Sequence, residues 1–183
     1  DSAAELVKFI RDNLRGHPRL SFVAHSLGSR VTLHTVRALA GQGFALDQVC
    51  LMAAAVDDDS LAASAVYRKA VDAAARVAVL HSRSDTVLRY AYPMGDWLQS
   101  FVYWGEASGA ALGLRGPRAH APSAEGIPKN VRACEIAQSR KARHSDYLPD
   151  QVQASPQNQS ANRLSAAAFA AAVLAGEPEP SYP

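Results

Sequence analysis

Leu20-Ser21-Phe22-Val23-Ala24-His25-Ser26-Leu27-Gly28-Ser29 passes from a short, nearly continuous apolar run straight into a helical pattern. A run of that length, bounded by turn residues, reads as a strand buried on both faces. Residues 30–40 then place Val31, His34, Thr35, Ala38 and Leu39 along one side of a helix, and Gly41-Gln42-Gly43 supplies its stop. Two similar runs follow, at residues 48–54 and 76–80, and a further, less continuous apolar run lies at 131–137. Between the first two of these, residues 60–75 read as a helix that follows Asp57-Asp58-Asp59, acidic residues suited to a helix N-terminus. Its buried side is expected to carry Leu61, Ala65, Tyr67, Ala70 and Val71. Another helix is expected before the first strand, with Leu6, Phe9, Ile10 and Leu14 on its apolar side and Gly16 and Pro18 at its end. Strands alternating with helices specify an α/β fold: a mostly parallel sheet, flanked by helices, with right-handed crossovers.

The length of 183 residues fits one domain or a large piece of one. Nineteen basic against seventeen acidic side chains, with no basic block, argues against a nucleic-acid footprint. The longest apolar run, residues 166–175, is about half of what a membrane span requires. Two cysteines, Cys50 and Cys134, cannot form a disulfide framework, and both fall on expected buried strands. A reducing, cytoplasmic compartment is expected. The stretch 87–129 departs from the alternation: it holds both tryptophans and a Gly/Pro-rich part, and it reads as a loop or cap excursion with a short helix at 96–102. Its aromatic residues, Tyr90, Tyr92, Trp97, Phe101, Tyr103 and Trp104, suit either a small core or a substrate pocket. Residues 149–183 read as a linker through about residue 160, then an alanine-rich helix at 165–175, then a frayed end at Glu177-Pro178-Glu179-Pro180.

Ser26 sits where a buried strand gives way to a helix. A serine on such a tight turn projects its hydroxyl above the sheet edge, beside backbone N–H groups able to stabilise an oxyanion. Small residues two before and two after it, Ala24 and Gly28, would let strand and helix approach closely. A helix N-cap serine is the plainer reading of the same string. A nucleophilic serine also needs a base and a group that orients the base. Asp85 follows the third strand and His144 the fourth, so all three would emerge at one carboxyl edge of the sheet. Asp57 is the rival acid, following the second strand, whereas a surface turn accounts for Asp146. His25 flanks the serine, where it shapes the pocket or packs, and His81 at a strand end reads as structural. No histidine pair has metal-ligand spacing, so no metal is expected. Arg115 and Arg118 could meet an anionic group, but loop arginines are ordinarily solvated.

Residues 20–148 resemble the C-terminal half of an α/β-hydrolase-fold protein. Ala24-His25-Ser26-Leu27-Gly28 is similar to the family's nucleophile elbow, Ser84-Asp85 to its acid loop and His144 to its late histidine. Ala54-Ala55-Val56-Asp57-Asp58-Asp59 and Ser82-Arg83-Ser84-Asp85-Thr86-Val87-Leu88 also resemble a bacterial subgroup of largely uncharacterised hydrolases. The resemblance implies a partial α/β-hydrolase domain over residues 1–148 and ester or amide hydrolysis through an acyl-serine. It implies Ser26 as nucleophile, His144 as base, Asp85 as orienting acid and the Leu27 N–H as one oxyanion donor, with no cofactor. The family's early strands and second oxyanion donor have no counterpart in residues 1–19, so a piece of a longer hydrolase is expected, with the first strand left as an apolar edge. A small acyl compound is the expected partner. The same constellation would serve an acyltransferase, and a non-catalytic binding or scaffold protein could keep the fold without turnover.

Overall fold

The computed structural model describes residues 2–17, 19–62, 65–93, 109–119, 126–148 and 157–180, with backbone alone at 157–160 and 162–164. Four strands form one sheet: β1 (Leu20–His25), β2 (Leu46–Met52), β3 (Ala74–His81) and β4 (Val131–Glu135). Their spatial order follows the chain, β1-β2-β3-β4, and every pairing is parallel. Among the described residues β1 has no partner on its outer side, and Val23 is 45% exposed there.

Both faces of the central strands β2 and β3 are covered, which is why these two read as nearly continuous apolar runs, whereas the edge strands β1 and β4 are partly exposed. On one face Val49, Leu51, Val77 and Val79 pack with Leu33, Val36 and Leu39 of α2 (Gly28–Leu39), Val7 and Ile10 of α1 (Ser2–Asn13), and Ala70 and Val71 of α3 (Arg68–Ala73). On the other, Cys50, Met52, Ala78 and Leu80 meet Leu88 of α4 (Thr86–Tyr90), Leu114 of α5 (Leu112–Arg115), and Ala166, Phe169 and Val173 of α6 (Gln157–Leu174). No disulfide joins the buried Cys50 and Cys134, and burial pushes the Cys50 thiol up to about 12. Among the described residues no helix is long and apolar enough to cross a membrane.

The helical elements differ in detail from the sequence expectation. The buried stripe of α1 is Ala3, Val7 and Ile10, whereas Phe9 is exposed. That of α2 is Ser29, Thr32, Leu33, Thr35, Val36 and Leu39, one position round from the expected side. Residues 60–75 are not one helix: turns and bends occupy 60–62 and 65–67, and α3 is a short helix that begins only at Arg68, after Tyr67. The acidic triplet therefore lies at no helix N-terminus. Asp57 instead bridges antiparallel to Ala111, and the Asp58 N–H donates to the Ala110 carbonyl at 2.8 Å. The last helix starts at Gln157, inside the expected linker. The expected helix at 96–102 lies outside the described residues.

Residues 177–180 are tied down rather than frayed. The Arg76 guanidinium, from β3, donates to the carbonyls of Val173 at 2.8 Å and Glu177 at 2.6 Å. It also meets the Glu179 carboxylate at 3.1 Å and Gln48 Oε1 at 2.7 Å. Cations at a helix C-terminus are favoured by the exposed carbonyls and the helix dipole, and this one is largely buried.

One glycine is required by packing. A β-carbon on Gly113 would lie 2.3 Å from the backbone of both Ala53 and Ala54, because α5 rests directly on the end of β2. Backbone cannot swing aside as a side chain can. Gly113→Ala is therefore expected to destabilise the fold by about 1–3 kcal/mol or more, lowering the urea midpoint by roughly 1 M. An unchanged midpoint would contradict the packing at this point.

Candidate active site

Ser26 occupies the turn between β1 and α2 with φ 54°, a left-handed conformation uncommon for a residue with a side chain. Backbone bonds on both sides hold it there. Its N–H donates to the Met52 carbonyl at 3.1 Å, and its own carbonyl accepts from Ala55 and from Ser29, each at 3.1 Å. The turn aims the hydroxyl away from the sheet, and the residue is only half-buried. Leu27 is the N-cap of α2, and among the described residues its N–H has no backbone partner. That leaves a donor directly beside the serine. A β-carbon on Gly28 would meet nothing within 4 Å, so close packing of the described residues does not demand glycine here, contrary to the sequence expectation.

Asp85 and His144 arrive from two other strand ends. Asp85 is fully buried and is the N-cap of α4, its Oδ1 accepting the Leu88 N–H at 3.0 Å. Its Oδ2 lies 2.8 Å from His144 Nδ1. His144 Nε2 lies 2.7 Å from Ser26 Oγ. With His144 donating from Nδ1 to the carboxylate, its Nε2 carries the lone pair and accepts the serine hydroxyl. Such a series can take a proton from an alcohol as that alcohol attacks an electrophile.

The residues around His144 fix its position. His144 opens a 3₁₀ turn, His144–Tyr147, whose start is held by Asp146 Oδ2 accepting the Arg143 N–H at 2.9 Å. Asp146 is buried, not a surface-turn residue as expected, and its work is to cap the turn that carries the histidine. His25 Nε2 donates to the His144 carbonyl at 2.8 Å, and the two rings lie 4.8 Å apart. Ser82 Oγ donates to the Ala142 carbonyl at 3.3 Å, anchoring the approach from β4. Sequence reasoning did not assign these contacts to Asp146 or Ser82, although the spacing of Arg143 and Asp146 is that of a local cap.

Asp57 does not reach the histidine series; its Oδ1 accepts the Tyr92 hydroxyl at 2.7 Å. Burial raises its carboxyl above the ordinary value, with the Tyr92 bond acting in the opposite sense. Tyr92 is buried in the core, Tyr90 is exposed, and the other aromatic residues of that stretch lie outside the described residues. Among the described residues no group of His, Cys, Asp or Glu could hold a metal ion.

The family described as "Alpha/beta hydrolase of unknown function (DUF900)" matches residues 1–96. That span carries β1, β2, β3, Ser26, Asp57 and Asp85, and ends before β4 and His144. No curated protein and no solved structure matches the chain.

Three histidines set a pH dependence of stability. Burial is the leading cause that lowers His25, His34 and His81 below the ordinary value of 6.5. Each binds a proton less readily folded than unfolded, so the unfolded chain takes up more protons as pH falls. Their contribution is complete above the unfolded value and declines as pH drops through it towards the lower folded values. The urea midpoint should be lower at about pH 6 than at about pH 7.5, and His81→Gln should flatten part of that difference. A midpoint that rises on acidification over this interval would refute the assignment.

Proposed function

Because the chain belongs to this family of α/β hydrolases, we propose that it is a serine hydrolase acting on carboxylic esters or related acyl compounds. The observation that carries the reading is the unbroken hydrogen-bond series from Ser26 Oγ through His144 to the buried Asp85 carboxylate. Ser26 Oγ attacks the acyl carbon while its proton passes to His144 Nε2. The oxyanion of the tetrahedral intermediate accepts the Leu27 N–H. Collapse breaks the bond to the alcohol, which leaves with the proton from His144, and the acyl group stays on Ser26. Water then repeats the sequence, with His144 taking its proton, and releases the acid. Asp85 holds the imidazole in the required tautomer and stabilises the imidazolium formed in both halves.

Residues 1–148 form the proposed catalytic part. Phe169 and Val173 of α6 are fully buried against the sheet, so the helix adds to the same core.

A fluorophosphonate probe tests the reading, since it reacts with a serine only where base and oxyanion donor are assembled. Intact-mass analysis should show one adduct, mapped to Ser26, and Ser26→Ala and His144→Ala should abolish it. A folded chain that takes up no probe would end the proposal. Where a chromogenic ester is turned over, Asp85→Asn should lower kcat by a factor of about 10⁴, the cost of presenting the wrong histidine tautomer. Retention of more than about a tenth of kcat would remove Asp85 from the orienting role.

A further inference from the structure

A cavity of about 440 Å³ lies beside the loop that carries Asp85, and none of its chemistry is used by the serine series. Four arginines line it: Arg83 from that loop, Arg89 from α4, Arg115 from α5, and Arg118 just beyond α5. Leu88, Pro93, Ala110 and Leu114 supply the rest of its wall. Like charges gather this way at a cost unless something neutralises them. Only one of the four meets a carboxylate among the described residues, Arg83 with Glu135 at 3.1 Å. Arg89 donates to the Arg83 carbonyl, which leaves its charge without a carboxylate among the described residues. The Arg115 and Arg118 guanidinium groups have no hydrogen-bond or ion-pair partner among the described residues.

The backbone that presents these groups is itself fixed. Gly116 turns the chain at φ 73°, its N–H donating to the Leu112 carbonyl at 2.8 Å, and the Arg118 N–H donates to the Asp58 carbonyl at 2.8 Å. A β-carbon on Gly116 would come within 2.7 Å of His81 Nε2, so the turn sits tightly on the end of β3. One short strap thereby contributes both Arg115 and Arg118 to the cavity that Arg83 and Arg89 also line. Their exposure leaves them accessible to a ligand from solvent.

We propose that this cavity binds an organic phosphate-type dianion: the guanidinium groups of Arg89, Arg115 and Arg118, which meet no carboxylate among the described residues, take the charged oxygens, and Leu88, Pro93, Ala110 and Leu114 take an apolar group attached to them. Arginine forks match phosphate oxygens in pairs, and the volume is that of ordinary small-molecule sites. The site is separate from Ser26, so it stands or falls independently of the hydrolase reading.

Isothermal titration of the full chain with phenylphosphonate, dianionic at about pH 8, tests this directly, with inorganic phosphate and benzyl alcohol titrated alongside. The expected result is saturable one-to-one binding of phenylphosphonate, weaker binding of inorganic phosphate, and no binding of benzyl alcohol. Affinity should fall with added salt, and by about tenfold or more in Arg115→Gln/Arg118→Gln. That variant should keep its circular dichroism spectrum and label with fluorophosphonate at the rate of the unaltered chain. Should it fail to fold, Arg89→Gln serves as the deciding variant, with the same loss of affinity expected. Absence of saturable binding, equal affinity for inorganic phosphate, or unchanged affinity in the deciding variant would overturn the proposal. Labelling of Ser26 is read separately, so failure here is distinguishable from failure of the hydrolase reading.

Discussion

A belt of backbone hydrogen bonds along the carboxyl edge of the sheet holds the rest of the site in place. The Ser26 N–H reaches the Met52 carbonyl, and the Ala55 N–H returns to the Ser26 carbonyl. The Ala53 N–H reaches Leu80, the Gly113 N–H reaches Ala54, the Ser82 N–H reaches Gly113, and the Ile136 N–H reaches His81. Every strand end is thereby joined to its neighbour after the regular ladders stop. Buried backbone groups need such partners, and here they also lock the positions from which Ser26, Asp85 and His144 depart. The absence of a β-carbon at Gly113 belongs to the same device, since it lets α5 lie against Ala53 and Ala54 closely enough to bond.

Within that belt the cost of local strain is offset by several bonds at once. Ser26 and Ala53 both adopt positive φ, at the ends of adjacent strands. Non-glycine residues in such conformations cost about 1–3 kcal/mol each. The Ser26 turn is over-determined by three backbone bonds, and the Ala53 turn by its bond to Leu80 and by the helix packed on it. The strained turn is consistent with the proposed chemistry, because it already presents Ser26 Oγ to His144 Nε2 at 2.7 Å.

Much of the fold was legible because buried parallel strands leave a plain trace. The apolar runs at 20–24, 48–54, 76–80 and 131–137 overlap β1, β2, β3 and β4, which are neighbours in space. Ser26, Asp85 and His144 could be singled out because a parallel sheet brings every strand's carboxyl end to one edge. What could not be read depended on partners distant in sequence. Residues 60–67 have helical composition, but Asp57 and Asp58 pair with Ala111 and Ala110, and the chain that follows takes turns and bends at 60–62 and 65–67. The tail looks frayed until Arg76, about a hundred residues earlier, is seen to grip it. The α2 stripe was displaced by one position because Val31 and Ala38 suit the apolar count, whereas Leu33 and Val36 face the sheet.

Asp57 and Asp85 show how location decides between two carboxylates that follow neighbouring strands. Asp85 receives the Leu88 N–H on one oxygen and His144 on the other, so its charge is placed where a cation would form on the imidazole. Asp57 spends an oxygen on the Tyr92 hydroxyl, and burial raises its carboxyl. The sheet order explains the division. With β1, β2, β3 and β4 in sequence, Asp85 leaves β3 next to the strand that leads to His144, while Asp57 leaves β2 towards α5 and the chain around Tyr92. Asp57 turns instead to the Tyr92 hydroxyl and the bridge to Ala111, away from the imidazole. The buried Asp146 cap, the Ser82 anchor and the His25 bond to the His144 carbonyl together hold the turn where one imidazole reaches both Asp85, beyond β3, and Ser26, beyond β1.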